Sequence, residues 1–237
     1  MISALSFGQT GDLERIDHVL TASYKLMWQE FAEQHVAPSA DAFKARMISC
    51  LADPATLFGT LEGLSKLITV VSSADKQVKF YSWDTLNGGT WAVLNSVAQF
   101  IAYEWRIRVQ VLSSPDAQER GDYTDSIIYE VHNIDIDGVR HYLTFGFGTH
   151  GSGEHHRIAR IFRIEGDKIV DREDLFEDVG ERIFAYSKAM EITLAFDPRK
   201  TEITCTLSDR PPGKTDGPVR PTSRLRLIDG KFRKVLE

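Results

Sequence analysis

Tight-turn signals recur along most of this 237-residue chain, and they constrain its fold more than any other feature. Asp-Gly and Asn-Gly pairs supply the positive φ angles that two-residue hairpin turns require. Each turn lies between segments in which apolar and polar residues alternate, as they do in half-buried strands. The turns fall at residues 74–77, 87–89, 137–138, 166–167, 197–200 and 229–230. At least five antiparallel hairpins are therefore expected after residue 66.

The first quarter of the chain has a helical period instead. Apolar residues recur at steps of three and four from Leu13 onward, which is the pattern of a helix that buries one face. This pattern predicts a first helix that runs through Phe31 and a second helix from Ser39 or Asp41 to Leu51. A third helix is predicted over residues 55–66.

Together these patterns predict an α+β protein in which N-terminal helices precede an antiparallel β-hairpin meander. Residues 1–66 form a helical region packed on the sheet, and residues 67–237 form the β domain, the two folding as one cooperative unit. A sequence does not show strand order, so a sandwich and a partial propeller are both open. Helical spacing predicts one more short helix within residues 171–190. Residues 115–124 and 210–218 are expected to form exposed loops.

Charge and cysteine content exclude several classes of function. The net charge of −6 argues against a nucleic-acid groove, and no run approaches the ~20 apolar residues of a membrane span. Cys50 and Cys205 are the only cysteines, and no Cys-x-x-Cys pair exists, which excludes a thiolate zinc site. The glycine-rich stretch at 146–153 leads into a strand pattern, not a helix, so no phosphate loop and no cofactor are expected.

An aromatic-rich segment at residues 79–91 is the least generic stretch of the chain. Tyr81 and Trp83 alternate along one strand, so they share a face, and Trp91 follows the turn. Such aromatic residues either line a binding groove or pair across strands to hold a hairpin on a core. Asp84 is a candidate binding residue and also fits a turn position that accepts backbone N–H bonds.

The same segment carries a resemblance. The run Tyr81-Ser82-Trp83-Asp84-Thr85, the following Gly-Gly-Thr and a closing Asp-Gly-Lys-Phe resemble features of a group of uncharacterised secreted or periplasmic bacterial proteins. The resemblance covers roughly residue 51 to the carboxyl terminus and implies a periplasmic or secreted bacterial protein, with no activity attached. The amino terminus lacks a basic region and an apolar core of signal-peptide length, so a cytoplasmic location is the alternative.

A histidine-rich stretch at residues 146–156 is the best candidate for chemistry. His150, Glu154, His155 and His156 offer imidazole and carboxylate groups of the kind that bind zinc. Adjacent histidines on a strand point to opposite faces, so only one of His155 and His156 can join His150. The alternative is a flexible hairpin tip with solvated histidines.

Two functions from different classes follow. The first is a non-catalytic bacterial protein-binding module, such as an immunity or inhibitor protein against a secreted toxin, whose acidity would suit a basic protein partner. His150, Glu154, His155, Trp83, Trp91 and Asp84 are its candidate binding residues. The second is a metal-dependent hydrolase that uses His150 with His155 or His156. No complete catalytic constellation is present, so binding is favoured over catalysis.

Overall fold

The computed structural model describes residues 9–88, 92–113, 125–150, 153–187, 190–208 and 219–235. Three α-helices come first in the chain, followed by thirteen strands that form three antiparallel sheets within these ranges. The helices are α1 (Gln9–Gln34), α2 (Ala40–Cys50) and α3 (Pro54–Phe58). The α+β class and the order of helices before strands are as predicted. None of the described helices combines the length and the hydropathy that a bilayer-spanning segment needs.

The three sheets use consecutive strands of the chain. The first sheet has the order β1 (Thr69–Ser72), β2 (Val78–Asp84), β3 (Leu94–Ile101), β4 (Ile107–Val111). The second has the order β5 (Ile127–Ile136), β6 (Val139–His150), β7 (Glu154–Glu165), β8 (Lys168–Asp171), with β9 (Ile183–Ser187) also paired to β7. The third has the order β10 (Glu191–Asp197), β11 (Glu202–Ser208), β12 (Val219–Ile228), β13 (Lys231–Lys234).

Three hydrophobic clusters join the helices and sheets face to face. The first cluster packs α1 and α2 against one face of the first sheet, through residues such as Leu20, Met47 and Trp83. The second cluster packs the other face of that sheet against the second sheet, where the rings of Phe80 and Phe162 lie 5.6 Å apart. The third cluster fills the space between the second and third sheets. Each sheet therefore shares a core with the next one in the chain.

The alternating periodicity of the sequence accounts for this arrangement. Along β2, Tyr81 and Trp83 contribute to the cluster under the helices, while Val78 and Phe80 contribute to the cluster shared with the second sheet. Every residue of β2 except Asp84 is buried. A strand covered on both faces reads as a continuous apolar and aromatic run, which explains the unusual composition of this segment.

The turn predictions at residues 74–77, 137–138, 166–167, 197–200 and 229–230 are confirmed, because antiparallel strands pair across each of them. Asp137 and Gly138 have φ angles of 50° and 75°, and Asp229 and Gly230 have 49° and 77°. These values are typical of a type I′ turn. Residues 87 and 88 lie between β2 and β3, while Gly89 and the predicted loops at 115–124 and 210–218 lie outside the described residues.

One helix prediction is confirmed only in part, and another is wrong. The third helix spans only five residues, and a separate 3₁₀ turn follows it at Leu64–Lys66, consistent with the helix-weakening glycines between the two. Residues 171–190 contain two 3₁₀ turns and the strand β9 where one helix was predicted. The apolar residues there also fit a period of two, and Phe184 and Tyr186 both face the cluster shared with the third sheet.

The two cysteines lie in different clusters. Cys50 packs at the edge of the cluster under the helices, and Cys205 is buried between the second and third sheets. Neither forms a disulfide. Both pack with apolar neighbours, as small apolar groups do.

A buried polar network ties the helical region to the first sheet. Lys79 Nζ donates to the carbonyl oxygens of Thr56 at 2.8 Å and Gly59 at 2.7 Å, around the end of α3. The Tyr81 hydroxyl donates to Gln99 Oε1 at 3.1 Å, and Gln99 Nε2 donates to the Leu51 carbonyl at 2.7 Å. All three side chains are at least nine-tenths buried. They satisfy the carbonyl groups that the short helix segments leave without intrahelical partners.

Lys79 makes a pH-dependent contribution to stability that can be measured. Burial lowers the pKa of Lys79 from 10.5 to about 8. Between these two values the unfolded chain binds more protons than the folded chain, so the free energy of unfolding rises with pH. The contribution is on the order of 3 kcal/mol over the whole window. Urea unfolding of the wild type and of Lys79→Met, at pH ~7.5 and ~9.5, should show this pH dependence only in the wild type.

Lys200→Met is the matched control, because Lys200 is a lysine whose side chain is 63% exposed at a hairpin turn. It should keep the wild-type pH dependence. The pH range of the urea measurements ends below ~10, because burial raises the pKa of Tyr81. A raised tyrosine pKa lowers the free energy of unfolding in strong base. An identical pH dependence in Lys79→Met and the wild type would contradict the assignment.

Candidate functional site

Trp83 and Asp84 lie at the end of β2, beneath the helices. Trp83 is 1% exposed and meets Phe43 of α2 edge to face, with ring centroids 5.3 Å apart. Asp84 Oδ1 accepts the Leu86 backbone N–H at 2.8 Å, and burial raises the pKa of Asp84. Trp83 is therefore a core residue that cannot touch a partner directly, and Asp84 has the turn role that its position suggested. Trp91 lies outside the described residues.

The histidine-rich stretch forms the hairpin between β6 and β7. His150 and Glu154 face each other at its end in the strand register. His155 lies on the face toward the third sheet, with its ring 5.1 Å from that of Phe147. His156 is 1% exposed and lies on the opposite face. The structure thus places His155 and His156 on opposite faces of the second sheet, whereas Trp83 faces the helices on the first sheet.

Metal ligation has no geometric support among the side chains that the structure describes. No group of three histidine, cysteine, aspartate or glutamate residues there lies close enough to hold a metal ion. The His150 side chain is not among them. The hydrolase hypothesis therefore stays a prediction.

His155 belongs to a half-buried cluster of aromatic rings around Arg157. The Arg157 guanidinium carbon lies 4.8 Å from the ring centre of Tyr129 and 4.9 Å from that of Phe147. The His155 ring lies 5.7 Å from that of Tyr186 on the neighbouring strand β9. Burial raises the pKa of Tyr129 to about 12, although the charge of Arg157 opposes the change. Two aromatic rings thus lie within cation–π distance of this guanidinium.

A second group of aromatic residues is fully accessible. The turn between β3 and β4, residues 103–106, carries Tyr103 and Trp105, which are 67% and 81% exposed. We call it the aromatic turn. Most tryptophans in folded proteins bury the greater part of their surface, so an indole this exposed is unusual. The aromatic turn is the most accessible aromatic surface among the described residues.

The backbone of the aromatic turn is strained. Glu104 and Trp105 have φ angles of 56° and 60°, the sign that a type I′ turn requires at both central positions. At the two other turns with this pattern the chain places Asp-Gly. A bulky side chain at positive φ costs roughly 1–2 kcal/mol. Folding alone does not account for tryptophan at this position.

Neighbouring residues hold the aromatic turn in place. The Tyr103 backbone N–H donates to the Gly166 carbonyl at 3.1 Å, across to the turn between β7 and β8. Asp167 of that turn pairs with Arg108 at 2.9 Å and Arg106 at 3.3 Å. The hydrogen bond from Arg108 lowers the pKa of Asp167. The two turns therefore form one braced unit that spans the first and second sheets.

Sequence reasoning missed this surface. The predicted hairpin turns all contain glycine, asparagine, aspartate or proline, and the run Tyr103-Glu104-Trp105-Arg106 contains none of these. The available signal was a pair of aromatic residues in an otherwise charged segment that separates two alternating stretches. Bulky residues at positive φ, as at Glu104 and Trp105, indicate strain, and strain of this kind is concentrated at functional sites.

No protein-family model, curated protein or solved structure matches this chain. Its function is therefore inferred from its own geometry. Among the surfaces described above, the aromatic turn is accessible, rigid and strained at the same time, which makes it the best candidate for a binding site.

The β6–β7 hairpin permits a test of how tightly His156 is packed. A Cβ atom added at Gly148 would lie 2.1 Å from His156 Cε1 and 3.0 Å from the Asp125 carbonyl oxygen. Gly148→Ala should therefore lower the free energy of unfolding by about 1–3 kcal/mol, measured by urea denaturation. Gly153→Ala is the control, since nothing lies within 4 Å of its added Cβ. Equal stabilities of the two variants would show that this face of the hairpin is loosely packed.

Proposed function

We propose that this protein is a non-catalytic protein-binding module whose aromatic turn is the central contact with its partner. The observation that supports this most is the exposure of Tyr103 and Trp105 on a turn whose backbone is strained. Tyrosine, tryptophan and arginine are the residues that contribute most of the binding energy at protein interfaces. All three types occur within residues 103–106.

The braced backbone favours affinity. Side chains that are already ordered lose less conformational entropy when they bind, which leaves more of the contact energy for affinity. The contacts of Tyr103 with Gly166 and of Arg106 and Arg108 with Asp167 supply this order. The charged residues would form a polar rim around the two aromatic rings, the usual anatomy of an interface.

A narrower form of the proposal concerns the partner and the location. The net charge of −6 suits a basic partner, such as a secreted toxin for which this chain would be the immunity or inhibitor protein. The resemblance of residues 81–85 to secreted or periplasmic bacterial proteins favours a location outside the cytoplasm. Neither point depends on the aromatic turn.

For the fold, we propose a partial propeller over a sandwich. In a propeller, consecutive segments of chain form consecutive four-stranded blades, each packed on the next. Most sandwiches instead have Greek-key connections that pass between their two sheets. The three sheets here use only consecutive strands, and each shares a core with its neighbour.

Comparison of two surface variants tests the proposed contact. The tagged full-length chain is used to capture proteins from a lysate of its native cells, and the Kd of the captured partner is then measured by calorimetry. Trp105→Ala should raise this Kd at least about tenfold, because interface tryptophans are commonly worth 2 kcal/mol or more. Phe58→Ala is the control, since Phe58 is 59% exposed but lies on α3. The proposal fails if both variants bind the partner as the wild type does.

Relief of the turn strain gives a second test that needs no partner. The double substitution Glu104→Asn and Trp105→Gly installs the residues that a type I′ turn prefers. It should raise the free energy of unfolding by about 1–2 kcal/mol in urea while it abolishes binding. A variant no more stable than the wild type would show that the turn stores no strain.

A further inference from the structure

A cavity of about 360 Å³ lies between β9 of the second sheet and the inner face of the third sheet. Phe184, Met190, Ile192 and Leu207 line it with apolar side chains, and Glu181, Ser223 and Lys234 add polar groups. Small-molecule sites are typically cavities of this size with largely apolar walls and a few polar groups. The cavity is separate from the aromatic turn, which belongs to the first sheet.

Tyr186 connects this cavity to the cluster around Arg157. Its side chain lines the cavity, and the charge of Arg157 acts against the rise in pKa that burial causes in Tyr186. The two residues lie on adjacent strands, because Tyr186 pairs with His155 in the register of β7 and β9. A group bound at the Tyr186 end of the cavity would therefore lie close to the guanidinium.

Arg157 carries a half-buried positive charge with no paired carboxylate. No aspartate or glutamate among the described residues forms an ion pair with it, and its side-chain hydrogen bonds go to the hydroxyls of Tyr129 and Tyr186. By contrast, the buried Arg160 and Arg182 both pair with Asp171, at 2.8 Å and 3.3 Å. Buried charges in proteins are normally paired. Aromatic rings stabilise a guanidinium but do not neutralise it.

We infer that the cavity binds a small apolar carboxylic acid, with its hydrocarbon part against Phe184, Ile192 and Leu207 and its carboxylate near Tyr186 and Arg157. The protonated Tyr186 hydroxyl can donate to one carboxylate oxygen, and Arg157 supplies the opposite charge. The cavity explains why the ligand is apolar, and the uncompensated arginine explains why it is an anion. This site does not depend on the proposed protein contact.

Calorimetric titration with decanoate and with decan-1-ol tests the inference. The two probes share an alkyl chain and differ in charge. We expect the wild type to bind decanoate saturably at one site and to bind decanol at least about tenfold more weakly, the effect of a charge-assisted hydrogen bond. Equal affinity for both probes, or no saturable binding of decanoate, would overturn the inference.

Three variants locate the ligand. Arg157→Gln should make the affinities for decanoate and decanol equal, whereas Lys234→Gln should leave the wild-type preference intact. Lys234 is the matched control because it also lines the cavity but is paired with Glu181, 3.7 Å away. Leu207→Trp should fill the cavity and abolish the binding of both probes. Loss of the preference in Lys234→Gln alone would place the carboxylate elsewhere and refute the site.

The variants remain decisive if one of them folds poorly. Thermal unfolding is recorded for each, and Arg157→Lys, which keeps the charge, replaces Arg157→Gln if the latter is unfolded. Arg157→Lys should keep the preference for decanoate over decanol, since the positive charge is retained. A folded Arg157→Lys that does not distinguish the probes, or a folded Leu207→Trp that binds decanoate normally, would contradict the inference.

Discussion

The first sheet is covered on both faces, and the rest of the structure depends on this double burial. One face packs under the helices and the other against the second sheet. A polar group left unpaired in this position is costly, because water reaches neither face. Carbonyl groups at the ends of the helices accept hydrogen bonds from the buried side chains of Lys79, Tyr81 and Gln99. The polar side chains of the sheet are thus also the attachment points of the helical region.

Buried polar groups between the first and second sheets are also hydrogen-bonded. Ser82 and Ser96 face each other across β2 and β3, with hydroxyl oxygens 2.8 Å apart. The Ser96 hydroxyl also donates to the Ser126 carbonyl at 2.6 Å, and the Ile128 backbone N–H donates to Ser82 Oγ at 3.1 Å. These bonds fix how the second sheet sits on the first. They leave the hairpin turns at the margins as the parts of the described structure that can vary without disturbing a core.

Much of this architecture could be predicted from the sequence, because local rules specify it. Asp137-Gly138 and Asp229-Gly230 determine two hairpins by their preference for positive φ, and alternation placed Tyr81 and Trp83 on one face. The strand β9 could not be predicted, because Val179, Ile183 and Tyr186 fit a helical period while Phe184 and Tyr186 fit an extended one within the same short segment. Only pairing with β7 and burial against the third sheet decide between them.

The candidate sites were harder to predict for a related reason. Sequence reasoning selected Trp83 for its aromatic surroundings, but burial against Phe43 makes it a core residue. It could not select Trp105, whose importance comes from an exposure and a φ angle that only the fold reveals. Likewise, the absence of a carboxylate beside Arg157 is a property of the described fold, since Glu154 is only three residues away in sequence. Residue type alone does not distinguish a paired charge from an unpaired one.

The strand β7 connects the two proposed binding surfaces and limits how they can influence each other. Arg157 lies near its start, and its end leads into the turn that braces Tyr103, roughly 26 Å away at 3.3 Å per residue. Coupling over such a distance requires an element with two alternative arrangements. β7 is paired with β6 over residues 154–162 and packed in two cores, so a change in its register would reverse the face of every side chain. The fold therefore favours independent occupation of the two surfaces, with binding energies that add.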